Sequence, residues 1–192
     1  MFNKPFGVLS QFRADSSDYR TLSEFGFPNN VYPIGRLDAD SEGLLLLSDE
    51  PGLNNRLLDP RERHEREYWA QVERIPTLEA LKKLEKGVTV QGRLTLPCKV
   101  LQLDPQPDIP PREPPILFRK NVPDCWISLC LSEGKNRQVR RMTASMGHPT
   151  LRLVRVRIAG LKMENLPAGK WTEINPNRLQ LRIDQRQLRS LS

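Results

Sequence analysis

Ile34-Gly35-Arg36-Leu37-Asp38-Ala39-Asp40-Ser41-Glu42-Gly43-Leu44-Leu45-Leu46-Leu47 is the stretch on which the fold class turns. Val31 to Leu37 is strand-like and runs into the polar turn Asp38 to Gly43. The unbroken apolar run enclosed by Gly43 and Ser48 is the pattern of a strand buried on both faces. Upstream, the chain predicts a short strand over Val8 to Phe12 after the Lys4-Pro5 turn, and a short helix over Thr21 to Phe25. Downstream, Pro51 to Leu58 fits a short helix with Pro at its start, and Tyr68 to Glu73 alternates as a strand. Pro76-Thr77 opens a helix with Leu78, Leu81 and Leu84 on one side and Gly87 past its end. Val88 to Leu103 reads as paired strands interrupted by Gly92, and Cys125 to Ser132 as a further strand. Lys135 to Met146 reads as a helix closed by Gly147, and Leu151 to Ile158 as a strand interleaving Arg with Leu and Val. Seven prolines between Asp104 and Pro123 exclude a helix or central strand there and predict an extended loop. Strands that do not alternate regularly with helices predict an α+β sheet fold rather than a doubly wound one.

The chain has 192 residues, 38% of them hydrophobic and 28% charged, enough for a core without staples. No apolar run approaches the ~20 residues needed to span a bilayer, and Met1 to Ser10 lacks the apolar centre of a signal peptide. A soluble, cytoplasmic protein is expected. Cys98, Cys125 and Cys130 form no C-x-x-C, and His64 and His148 stand far apart, so no metal-ligand spacing is present and free thiols are expected. There is no G-x-G-x-x-G, Walker loop or H-E-x-x-H, which argues against a nucleotide cofactor and zinc hydrolysis.

Charge is segregated along the chain. Residues 1–96 hold 13 Lys and Arg against 15 Asp and Glu, whereas residues 97–192 hold 17 against 8. Gly134 to Gly160 carries Lys135, Arg137, Arg140, Arg141, Arg152, Arg155 and Arg157 with no carboxylate at all. A basic, Arg-dominated block without an aromatic-rich apolar face suits phosphate contact and base stacking better than a membrane surface. Within it, a helix over Glu133-Gly134-Lys135-Asn136-Arg137-Gln138-Val139-Arg140-Arg141-Met142 would set Arg137 beside Arg140 and Arg141. Asp38, at the end of a strand, suits a nucleophile or base, although Asp is also an ordinary turn residue.

Together these segments resemble the successive motifs of the RNA pseudouridine synthases. The resemblance is carried by Asn3-Lys4-Pro5-Phe6-Gly7-Val8-Leu9-Ser10, by Gly35-Arg36-Leu37-Asp38 with Ser41 and the Leu run, and by Gly134 to Met142 with Gly147-His148-Pro149. It runs from about Phe2 to Trp171. It is nearest the A-type branch of small-subunit ribosomal enzymes, and within that branch to members acting on large-subunit ribosomal RNA.

The resemblance implies a mixed, largely antiparallel sheet with two lobes flanking a central catalytic cleft, and cofactor-free isomerisation of a flipped-out uridine. It implies Asp38 as nucleophile, Tyr68 as active-site aromatic and Arg140 as the Arg that salt-bridges Asp38. Arg36 would enter the RNA stack vacated by the base; Lys135, Arg137, Arg141 and Arg155 are phosphate-contact candidates. Asp40 and Glu42 are read as turn residues, Trp126 and Trp171 as packing aromatics, and Arg66 as a departure where relatives often have Lys. The expected organisation is a catalytic domain over 1–181, no accessory RNA-binding domain ahead of it, and a polar tail over 182–192. The expected partner is ribosomal RNA, bound by a monomer. Two rival readings are a non-catalytic RNA-binding assembly factor and a glycosidase using Asp38 with Asp40.

Overall fold

A computed structural model describes residues 1–14, 18–116 and 121–179. The predicted tail lies outside the described residues. Ten strands and three α-helices appear among them: β1 (Phe2–Lys4), β2 (Tyr32–Ile34), β3 (Glu42–Ser48), α1 (Leu53–Leu58), β4 (Arg66–Glu73), α2 (Leu78–Lys86), β5 (Thr89–Val90), β6 (Arg93–Leu94), β7 (Lys99–Gln102), β8 (Asp124–Leu131), α3 (Gln138–Ser145), β9 (Thr150–Ile158) and β10 (Leu161–Lys162). The main sheet runs β1-β3-β9-β4-β8-β7, with β2 paired to β3 and β10 to β9; β5 and β6 form a separate hairpin. Every pairing is antiparallel except β3 with β9, where Glu42 lies opposite Val154 and Gly43 opposite Arg155. The expected α+β class and largely antiparallel sheet are therefore present.

The Leu run becomes β3 for the reason its composition suggests. Leu44 and Leu45 are fully buried and Leu46 is 3% exposed, because each face of the strand meets a different apolar cluster. One cluster joins β2, β3, α1 and the end of β9; another gathers Phe2, Val8, Leu22, Leu37 and Leu45. The largest lies around β4, β8, α2 and α3, with Leu84, Ile127, Leu129 and Met142 fully enclosed.

Several local expectations change. Val8 to Phe12 is not a strand: Val8 makes one isolated bridge to Arg20, and the paired strand is Phe2–Lys4. Two backbone bonds, Leu9 N to the Arg20 carbonyl and Leu22 N to that of Gln11, hold that segment together with side-chain ties, the Lys4 ammonium donating to the Val8 carbonyl and Ser10 Oγ to that of Leu37. Leu78 is exposed rather than aligned with buried Leu81 and Leu84, since three-residue steps drift around a helix of 3.6 residues per turn. α3 starts at Gln138, not Lys135, because Arg137 adopts φ 51° and ψ 32°, left-handed backbone that cannot continue a helix. The extended loop after β7 is present over its described residues. Among the described residues no helix is long and apolar enough to cross a membrane.

Candidate active site

The turn bearing Asp38 is braced from beneath by the N-terminal segment. Gly7 N donates to the Ala39 carbonyl at 2.8 Å, Ser41 N to that of Asp38 at 3.0 Å, and Leu37 N to Ser10 Oγ at 3.0 Å. Lys4 is fully buried, its ammonium spread over the carbonyls of Pro5, Val8 and Ala39. Burial pulls its pKa down to about 8, against the opposing pull of Glu42, Asp40 and Asp38. A buried cation is costly unless hydrogen-bonded and faced by anions, so Lys4 ties this turn to the sheet.

The left-handed backbone at Arg137 aims its guanidinium back across the cleft. Arg137 forks onto Asp40 at 3.0 and 2.8 Å and approaches Asp38 at 3.6 Å. Arg140 reaches the same turn from α3, donating to the Asp40 carbonyl at 2.7 Å and the Thr150 carbonyl at 3.1 Å, with its Nε 3.4 Å from the Asp40 carboxylate. The expected Arg140–Asp38 salt bridge is thus corrected. Among the described residues Arg140 pairs with Asp40, and Arg137 is the guanidinium beside Asp38. The break before α3 is the reason, because it separates the two arginines that a continuous helix would have stacked. Burial lowers the Arg140 pKa, although Asp40 opposes this. Burial would raise the Asp40 carboxyl, but the hydrogen bond from Arg137 and the charge of Arg140 prevail and hold it below the usual range.

Asp40 and Glu42 are therefore not simple turn residues. Glu42 opens β3 and forms a buried, two-pronged ion pair with Arg152 at 2.7 and 2.8 Å. Arg157 is held by Glu65 and Glu67. The basic block that carries no acid in sequence is largely neutralised in space by carboxylates from residues 40–67.

In front of this scaffold opens a cleft of about 760 Å³. Arg36, Asp38, Tyr68, Lys135, Arg137 and Arg155 all line it; Arg140 and Arg141 do not. Arg141 instead bonds Gln91 and Asn136. Tyr68 sits mid-sheet on β4, its Cα paired with Arg155 on β9 and Leu129 on β8. Arg155 is 4% exposed and donates to the Leu44 carbonyl at 2.8 Å, so it belongs to the cleft floor and not to an outer phosphate-binding face. Asp40 does not line the cleft and is held by two arginines, which removes the partner that the glycosidase reading requires. Trp126 is buried, with Arg152 over its ring, while Trp171 packs on Phe27 and donates to the Phe25 carbonyl. Cys98, Cys125 and Cys130 are free thiols. Lys4 as a buried tie escaped the sequence reading, signalled only by a lysine in the short strand before Pro5, whereas Arg66, noted there only as a departure beside Tyr68, lies on the cleft floor.

Known proteins resemble this chain in sequence and in fold. A family model described as RNA pseudouridylate synthase matches residues 1–145. The chain is 51% identical over 179 residues to the ribosomal large subunit pseudouridine synthase E of Xanthomonas axonopodis pv. citri (strain 306), covering 92% of this chain and 94% of that one. It is 44% identical to the protein of the same name from Vibrio parahaemolyticus serotype O3:K6 (strain RIMD 2210633), covering 91% and 72%. A crystal structure of a pseudouridylate synthase superposes with a TM-score of 0.76 at 25% identity, covering 94% of this chain and 71% of that one.

Proposed function

The chain belongs to the RNA pseudouridylate synthase family, and from that premise we propose that it isomerises one uridine of large-subunit ribosomal RNA with Asp38 as nucleophile. The relatives' names supply the RNA class. Placement in the A-type branch of small-subunit enzymes rests on the motifs alone. The observation that carries the proposal is convergence: Arg36 with Asp38, Tyr68 and Arg137 come from three separate segments to line one cleft.

The reaction breaks the bond from ribose to N1 of uracil and forms one to C5. The C5 hydrogen leaves as a proton and N1 gains one, so no redox partner is required. Asp38 is 38% exposed, open to a substrate yet 3.6 Å from the charge of Arg137. Extruding a base costs a few kcal/mol of unstacking. Arg36, exposed at the cleft edge, offsets part of this by filling the vacated stack. Tyr68 supplies a ring for the uracil and a hydroxyl for proton movement. Arg140 acts as a positioning residue, holding the turn through the Asp40 carbonyl and carboxylate. Lys135 and Arg137 meet the flanking phosphates, with Arg141 further out.

The test is a pseudouridine map of ribosomal RNA from cells lacking the protein. One site should be missing, restored by wild type and not by Asp38→Ala, while purified Asp38→Ala binds the RNA within about threefold of wild type. Full modification by Asp38→Ala would sink the nucleophile assignment. An unchanged map would sink the substrate.

A further inference from the structure

The cleft floor holds positive charge that the scaffold leaves unmatched. Arg66 and Arg155 are 9% and 4% exposed, and both line the cleft beside Tyr68. Tyr68 and Arg155 are cross-strand partners, and Arg66 lies two residues before Tyr68 on the same strand. Among the described residues neither guanidinium has a carboxylate partner. Arg66 donates to the Leu57 and His64 carbonyls at 3.2 and 3.4 Å, and Arg155 Nε to that of Leu44. Arg155 Nη2 is buried with no hydrogen-bond partner. Every other deeply placed arginine of the basic block is matched by an acid: Arg152 by Glu42, Arg157 by Glu65 and Glu67, Arg140 by Asp40. Burial lowers the Arg66 pKa, with the charge of Arg155 adding to the effect. Two neighbouring buried cations without a counterion are unfavourable, unless an anion arrives during function.

Building on the proposed function, we infer that Arg155, assisted by Arg66, stabilises the negative charge that develops on the pyrimidine while it is unlinked from its sugar. The chemistry requires such a group by either route. Expulsion of the base from ribose gives a uracil anion, with charge shared between N1 and its carbonyl oxygens. Attack of a carboxylate on the ring gives an enolate. Both place charge on oxygens that a preorganised N–H donor can meet, as an oxyanion hole does. A neutral uridine draws less from the same donors, so the interaction strengthens toward the transition state.

The experiment measures single-turnover pseudouridine formation and RNA affinity separately for wild type, Arg155→Met, Arg155→Lys and Arg66→Met. Arg155→Met should slow the chemical step ~100- to 1000-fold, the loss typical of one such donor. Its Kd for RNA should stay within about threefold of wild type, and Arg155→Lys should recover at least tenfold of the rate. If Arg155→Met does not fold, Arg66→Met carries the test, with a loss of at least tenfold expected in the same step. A normal rate overturns the inference. So does a loss confined to Kd with a shallower salt dependence, which would mark Arg155 as a phosphate contact. Absence of pseudouridine with wild-type protein would instead overturn the functional reading on which the inference rests.

Discussion

Gly43→Ala should loosen the junction that builds the cleft. Gly43 lies where β3 meets β9, with φ at +98°, and a Cβ there would land on the Arg155 carbonyl oxygen and within 2.8 Å of the Arg155 nitrogen. Positive φ costs a residue with a side chain roughly 1–2 kcal/mol. Forcing a methyl group against rigid backbone adds about 1–3 kcal/mol of overpacking. The sum, roughly 2–5 kcal/mol, is a large share of the 5–15 kcal/mol by which domains are stable. At about 2–4 °C per kcal/mol for a chain of this size, the melting temperature should fall by roughly 4–20 °C. Differential scanning calorimetry of wild type and Gly43→Ala measures this directly. Because the clash separates Arg155 from the Asp38 turn, single-turnover activity well below the new melting point should also fall, at least tenfold. A melting temperature within 2 °C of wild type would refute the reasoning, since it would show that β3 and β9 can part without penalty.

Lys4 links stability to pH. Its folded-state pKa of about 8 lies below the ordinary lysine value of 10.5, so between those values the unfolded chain binds the extra proton and stability rises with pH. The rise should approach ~3 kcal/mol. Urea unfolding of wild type and Lys4→Met at pH 7.5 and 10 isolates it, and equal pH responses would refute it. Glu42→Gln strands Arg152 and should cost about 3–5 kcal/mol, whereas Glu42→Leu with Arg152→Leu together should cost less than either single change. A double variant weaker than both singles, by chemical denaturation, would contradict this.

Strand β3 and helix α2 were legible because their evidence is local: four leucines in a row, and a Thr77 cap with Gly87 at the other end. The Asp38 turn and the Tyr68 strand were placed for the same reason. What could not be read was partner choice. Nothing in Arg137-Gln138-Val139-Arg140 announces that Arg137 leaves the helix, and that one backbone angle decides which arginine faces Asp38. Likewise, the acid-free run from Gly134 to Gly160 overstated the free charge, because Glu42, Glu65 and Glu67 arrive from 90 to 110 residues away in the chain to neutralise it. Val8 to Phe12 has the composition of a strand, but its pairing with Arg20 to Leu22 stops at one bridge and two backbone bonds. Lys4 and Ser10 supply the remaining ties.

The amino group of Met1 donates to the Thr172 carbonyl, and Phe2 bridges to Trp171. β3 likewise acquires its parallel neighbour only when β9 is present, far later in the chain. During synthesis, then, the Asp38 turn waits without one wall until β9, late in the described chain, has left the ribosome. A half-made molecule therefore carries the acid without the Arg155 strand that floors the cleft beside it.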